Sequence, residues 1–298
     1  LIKNIVVSGI LIIVLLQAMP CFAQDTSETD LSSVEEWQQW REVYRDELIG
    51  EHGWLKLVGL YWLKTGSNSI GSHESNNHFF PDSAPLFVGN IKLKDDSIEF
   101  STENPNVRVN GKKVSVSQLS VKDKTEVSFG TYSFYIIKRE NKFAVRLRDK
   151  NSPFYKNFKG ERFYPFNSKY IVEATLVPHK TDRKLKVATV YGTLSNDKSA
   201  GFVEFELNGK RHRLEAVDYG KEYPLFVMFR DKTSGDTTYG AGRFIDVDWP
   251  NEEGATTIDF NRAYSPACAH TAYATCPLPP KHNFIDTRLE VGELYKVH

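Results

Sequence analysis

The chain has 298 residues, with 38 Lys plus Arg balanced by 38 Asp plus Glu. That balance leaves no basic surplus to displace counterions from a polyanion, so nucleic acid is excluded as an expected partner. Hydrophobic content of 40% is enough for one large core or two smaller ones, and the length favours two.

In chain order, the first segment reads Leu1-Ile2-Lys3-Asn4, then an apolar run from Ile5 to Leu16, then Gln17 to Gln24 with small residues at Cys21 and Ala23. One cation, roughly twelve apolar residues and that small-residue spacing predict a cleavable secretory signal over 1–23, cut after Ala23. The run is shorter than the ~20 residues of a membrane span. An uncleaved anchor and a lipidated Cys21 are the alternatives, and membrane contact is expected only through this segment if it stays uncleaved. Cleavage removes only Lys3, leaving 37 cations against 38 anions, or −1. The expected location is periplasmic or extracellular.

Residues 24–52 are expected to hold a spacer and a helix. Gln24 to Leu31 is polar and acidic without an apolar period. Ser33 and Glu36 have capping-box spacing, and Val34, Trp37, Trp40, Tyr44 and Leu48 recur every three or four residues as far as Gly50. The Trp-rich stripe is expected to pack on the following sheet, with docking on a partner or membrane as the alternative.

Over 53–148 the period shortens. Leu86 to Leu93, Val107 to Asn110, Lys113 to Ser117, Thr131 to Lys138 and Lys142 to Arg148 predict antiparallel strands. Residues 149–169 carry six aromatic residues among Pro153, Gly160 and Pro165, and predict a packed connector, because exposing so much apolar area costs about 25 cal/mol per Å². Residues 170–298 predict a second β domain with strands at Tyr170 to Val177, Leu185 to Leu194, Phe202 to Leu207, Arg211 to Val217, Leu225 to Arg230, Thr237 to Asp246 and Thr256 to Phe260. Asn110-Gly111 and Asn208-Gly209 are hairpin signals. From Asn261 to Asn283 follows a long loop rich in proline, and long loops inside compact domains are often functional.

Gly53-Trp54-Leu55-Lys56-Leu57-Val58-Gly59-Leu60-Tyr61-Trp62-Leu63, Tyr239-Gly240-Ala241-Gly242-Arg243-Phe244, Asp259-Phe260-Asn261-Arg262-Ala263-Tyr264 and Cys276-Pro277-Leu278-Pro279-Pro280 resemble the bacterial family of unknown function DUF1684. At Ser265 and His270 the chain departs from that pattern, which often has an Asn and an aromatic residue there. The resemblance implies membership and supplies no activity. In the first half, Ser67 to Ser72, Val109 to Lys112 and Val127 to Gly130 are similar in order to forkhead-associated (FHA) β-sandwiches. Those domains bind phosphothreonine through an Arg where this chain has Ser72, so the resemblance implies the scaffold without its phosphate fork. The expected fold is therefore mainly β: an N-terminal amphipathic helix, an FHA-like antiparallel β-sandwich, and a second antiparallel sheet or barrel-like domain.

No nucleophile elbow, phosphate loop or zincin motif is present, and no cofactor or metal is expected. The candidate ligand-binding residues are Tyr239, Arg243, Asp259, Asn261, Arg262 and Tyr264. Alternation over Thr237 to Asp246 puts Tyr239 and Arg243 on one strand face, where Arg243 and Asp259 are expected to meet beneath the loop. That constellation suits a small anionic or carbonyl-bearing ligand or, alternatively, a hydrolase with Asp259 as base and Arg243 as electrostatic stabiliser. A buried ion pair that satisfies loop backbone is the plain structural reading. Cys268 and Cys276 are the disulfide candidate, a closure contributing about 2.6 kcal/mol. A metal cluster of these two with His270 and His282 is the alternative. Asp231 to Asp236 is expected to be a turn rather than a calcium loop.

Overall fold

The computed structural model describes residues 26–295, with side chains from Leu31 onward. The expected leader, 1–23, lies outside them. In chain order the regular elements are α1 (Thr26–Ile49), β1 (Leu57–Trp62), β2 (Gly66–Gly71), β3 (His78–Phe79), β4 (Gly89–Lys94), β5 (Ser97–Ser101), β6 (Arg108–Val109), β7 (Val116–Gln118), β8 (Val127–Phe129), β9 (Tyr132–Arg139) and β10 (Lys142–Asp149). There follow α2 (Pro153–Lys156), β11 (Arg162–Phe163), β12 (Ile171–Ala188), β13 (Leu194–Leu207), β14 (Lys210–Val217), β15 (Leu225–Asp231), β16 (Arg243–Val247), β17 (Ala255–Asp259), β18 (Phe284–Ile285) and β19 (Glu293–Leu294). The protein is mainly β, as its period-2 patterning requires.

The first unit is a sandwich of two five-stranded sheets, ordered β1-β10-β9-β8-β6 and β3-β2-β4-β5-β7. Ile70, Ile91 and Phe100 of one sheet meet Phe134, Val145 and Leu147 of the other in a single buried cluster. In the second unit, antiparallel strands run β16-β15-β14-β13-β12-β17, with β18 added parallel to β15. This sheet curls into a half-barrel around Val203, Leu214, Val227, Ile245 and Phe260. An antiparallel bridge between Phe244 and Tyr264 ties the chain just beyond β17 to β16.

Three local features differ from the sequence expectations. α1 begins at Thr26, so Ser33 and Glu36 lie inside the helix and not at its start. The stretch Leu185 to Leu194 is not one strand: β12 runs on to Ala188, and the chain reverses through Thr189 to Thr193, where Gly192 supplies φ +75°. β16 starts only at Arg243, because Tyr239 to Gly242 form a turn closed by Gly242 N–H donating to Tyr239 O. Gly242 has φ +109°, and a Cβ there would lie 2.6 Å from Phe229 O. A close backbone approach thus falls at Gly242, in a turn.

The stripe of α1 packs inward. Trp37 Nε1–H donates to Asn261 O at 3.0 Å, Trp40 stacks on Tyr44, and Phe163 of the connector meets Trp37, Trp40 and Tyr44 edge-on. Buried Glu161 takes Arg45 at 2.6 Å and Arg41 at 3.3 Å, which pins the helix to the connector. The aromatic stripe is therefore occupied by the protein's own connector and C-terminal loop. Among the described residues no helix is long and apolar enough to cross a membrane.

Candidate anion site between the two β units

Strand β10 reads Lys-Phe-Ala-Val-Arg-Leu-Arg-Asp, and its pleat sends Phe143, Val145 and Leu147 into the sandwich core. Ala144, Arg146 and Arg148 face the other way, and register with β9 sets Tyr135 opposite Arg146 and Ile137 opposite Ala144. An outer sandwich face is normally wet. Here the second unit covers it, and Arg146 is only 4% exposed.

The partners of these arginines are all neutral. Arg146 donates to Tyr135 Oη and Thr275 Oγ1, both at 3.3 Å, and its guanidinium lies 5.3 Å from the Trp54 ring centre. Arg148 donates to Tyr135 Oη at 3.3 Å and lies over that ring. Arg139 donates to Thr275 Oγ1 at 3.1 Å and to the Lys138 carbonyl at 3.0 Å. No carboxylate pairs with any of the three among the described residues, and the Nε groups of Arg146 and Arg148 are buried without a hydrogen bond. Burial, reinforced by the like charge of Arg146, holds Arg139 and Arg148 below the ordinary arginine pKa. All three line a cleft of about 630 Å³ whose other wall is the end of α1, with Asp46, Glu47 and Glu51, followed by Gly53 and Trp54. Chemically this is a set of directed N–H donors, and with Lys124 and Lys138 the lining carries five cations against the three carboxylates of Asp46, Glu47 and Glu51, none of which pairs with an arginine here.

The comparisons with known proteins bear on the second half of the chain. The family model "Protein of unknown function (DUF1684)" matches residues 156–294. An uncharacterized protein of Haloarcula marismortui, solved by solution NMR, is 32% identical, with 47% of this chain and 78% of that chain covered and a TM-score of 0.40. The chain belongs to the DUF1684 family. An FHA domain studied for phosphothreonine-dependent interactions is 19% identical, covering 30% of this chain and 92% of that one at a TM-score of 0.22. The FhaA FHA domain gives the same identity and TM-score, with 97% of its length covered. No curated protein matches.

The DUF1684 segment contains all six ligand-binding candidates together with Cys268 and Cys276, and the structure disperses them. Arg243 is 1% exposed and pairs with Asp231 at 3.3 Å, not with Asp259. Its other bonds go to the Leu289 carbonyl at 3.1 Å and to the Val291 carbonyl. β16 pairs with β15 whereas β17 pairs with β12, so the expected meeting of Arg243 and Asp259 does not occur. Asp231, in a tight turn, also takes Thr233 Oγ1–H at 2.9 Å and Leu289 N–H at 2.7 Å. Asp259 accepts from Asn261 N–H and Nδ2–H and pairs with Arg262 Nε at 3.1 Å, beside a surface hollow of about 400 Å³. Asn261 is buried and ties the connector through Asn167. Tyr264 packs against Trp40, Tyr44 and Phe244.

Tyr239 lies beyond the strand that was to carry it, its hydroxyl 3.7 Å from Cys268 Sγ. Cys268 and Cys276 are free thiols in the structure, with Cys268 N–H donating to Cys276 Sγ at 3.0 Å. The hydrogen bond from Cys276 lowers the Cys268 thiol pKa, while the same contact and then burial raise that of Cys276. The four candidate soft ligands do not converge: His270 faces Glu293 and His282 faces Glu215. Glu215, fully buried, takes Ser199 Oγ–H at 2.8 Å and lies 3.1 Å from His179 Nε2 and 2.7 Å from His282 Nε2. Burial raises its pKa, but these contacts and Arg183 outweigh that and hold it low. Asn283 sets His282 there by clamping the Glu215 backbone amide and carbonyl and the Met228 carbonyl.

Sequence reasoning missed the arginines because strand 142–148 reads as one wet face and one dry face. The signal was present in the paired Arg146 and Arg148 on the outward register, opposite Tyr135. What hides them is the second unit, which no local pattern announces.

Proposed function

We propose that this DUF1684 protein binds a small oxyanion, a ligand bearing a phosphate, sulfate or carboxylate group, in the cleft between the outer face of the sandwich and the end of α1. The carrying observation is Arg146, a buried cation whose polar partners are two hydroxyls. Taking a charge out of water costs several kcal/mol unless an opposite charge offsets it. A guanidinium presents a planar fork that matches an oxyanion bidentately. Arg139 and Arg148 multiply the donors, and Thr275 Oγ1, which accepts from Arg139 and Arg146, ties the C-terminal loop to the same guanidiniums. A small anionic ligand is thereby proposed again, with different residues and a different place from those expected under the C-terminal loop.

Isothermal titration with inorganic phosphate, sulfate and citrate tests the reading. At least one anion is expected to bind, more weakly as ionic strength rises, with Arg146→Gln losing about tenfold or more, the equivalent of 1.5–3 kcal/mol for a charged hydrogen bond. Absence of binding by all three, or equal binding by Arg146→Gln, contradicts it.

We further propose that the protein is exported and that Cys268 and Cys276 close into a disulfide in the oxidising compartment; the signal-like leader and the Cys268 N–H to Cys276 Sγ hydrogen bond, which brings the two residues together, support this. Intact-mass analysis of the cell-envelope fraction should find a chain starting at Gln24 and lighter by two hydrogens than its reduced form. A full-length, reduced chain in the cytoplasm contradicts it.

A further inference from the structure

A second pocket, of about 440 Å³, opens on the other side of the turn that carries Trp54, between the connector, the cysteine loop and β19. Its walls are largely apolar, with Leu55, Phe158 and Leu294 among them, and Phe154 and Tyr295 supply aromatic faces. At its floor is the Glu293 carboxyl, 2% exposed. One carboxyl oxygen, Oε2, is fixed by Tyr44 O–H at 2.8 Å and Ser265 N–H at 2.6 Å. The other, Oε1, lies 3.5 Å from His270 Nε2.

No Lys or Arg pairs with Glu293 among the described residues. From α1 it meets Tyr44, from the cysteine loop Ser265 and His270, and from the connector Glu161, whose charge is already taken by Arg41 and Arg45. From β16 it feels the charge of Arg243, whose own ion pair is with Asp231. Lys159 and Arg162 line the same pocket with exposed side chains and do not reach the carboxyl. Burial, with a contribution from Glu161, raises the Glu293 pKa to about 7 against the donors from Ser265 and Tyr44. Burial lowers His270 to about 4, so the imidazole is neutral at pH 7 and supplies no counter-charge.

We infer that this pocket binds a primary amine with a small apolar body, its ammonium on Glu293 Oε1 and its hydrocarbon part against Leu55, Phe158 and Leu294. An alcohol of the same shape would satisfy a hydrogen bond but leave the carboxylate without an opposite charge, whereas an ammonium supplies both and gains from the aromatic faces. The inference is independent of the arginine cleft, whose cations favour the opposite ligand charge.

The test is isothermal titration of the full chain with phenethylamine and with its neutral isostere 2-phenylethanol. At pH 8 the amine is expected to bind at least about tenfold more tightly than the alcohol. Moving to pH 6 should weaken the amine about tenfold, because Glu293 then carries its proton while the amine stays charged. Glu293→Gln should abolish the preference. If that variant does not fold, the isostere and pH comparisons in the wild-type chain decide the matter alone. Equal binding of amine and alcohol, an amine affinity that ignores pH, or no amine binding overturns the inference. Phosphate titration of the same sample reads the arginine cleft separately, so failure of one site does not imply failure of the other.

Discussion

Arg146 and Arg243 are two buried arginines in one protein with opposite electrostatic situations. Arg243 has Asp231 and two carbonyls, so its environment is complete. Removing the charge of its partner in Asp231→Asn leaves an uncompensated cation and is expected to cost about 3–5 kcal/mol in a denaturant titration. Asp259→Asn, at the half-buried cap of Asn261, should cost only about 1 kcal/mol. Arg146 lacks a charged partner, so Arg146→Met should leave the ligand-free melting temperature unchanged or raised while anion binding is lost, a separation of stability from function. A fall of several degrees without anion would show that the guanidinium is structural. Glu293 adds a pH signature. Its folded pKa of about 7 exceeds the ordinary 4.5, so its stabilising contribution is full below about pH 4.5 and fades as pH rises through 7. The wild-type advantage over Glu293→Gln in melting temperature should therefore shrink from pH 5 to pH 8, and a constant difference would contradict the assignment.

At the scale of elements, patterning revealed most of what the backbone does. The Trp37, Tyr44 and Leu48 stripe was legible because helical period and burial coincide, and Trp37→Ala should cost about 3–5 kcal/mol by chemical denaturation. The Asn208-Gly209 hairpin was legible because both residues take positive φ, at 52° and 71°. Its absence of a matching signal is what concealed the reversal at Thr189 to Thr193, where the flanking residues continue the β pattern. Arg243 was correctly placed on a strand, yet its partner was misassigned because sheet order is set by pairings distant in sequence. Asp231, read only as part of a turn, carried the opposite charge. The C-terminal loop is held by side-chain bonds that composition does not disclose, Asn283 above all.

For the molecule as a whole, the cleft lies between the outer sandwich face and the end of α1, and the second β unit touches its arginines through Thr275. The sandwich supplies Arg139, Arg146 and Arg148, the half-barrel segment supplies Thr275, and the end of α1 forms the opposing wall. This site was illegible in the sequence because a residue's outward register does not say whether water or another unit lies outside. Shared burial also predicts joint behaviour: thermal unfolding should be one cooperative transition that moves upward with anion concentration, by about 2.7 kcal/mol at a hundredfold excess over Kd. The most direct test of the cleft is an anomalous difference map from crystals grown with selenate. A peak within hydrogen-bonding distance of the Arg146 and Arg148 guanidiniums is expected, and its absence at selenate concentrations that saturate binding in solution would contradict the account.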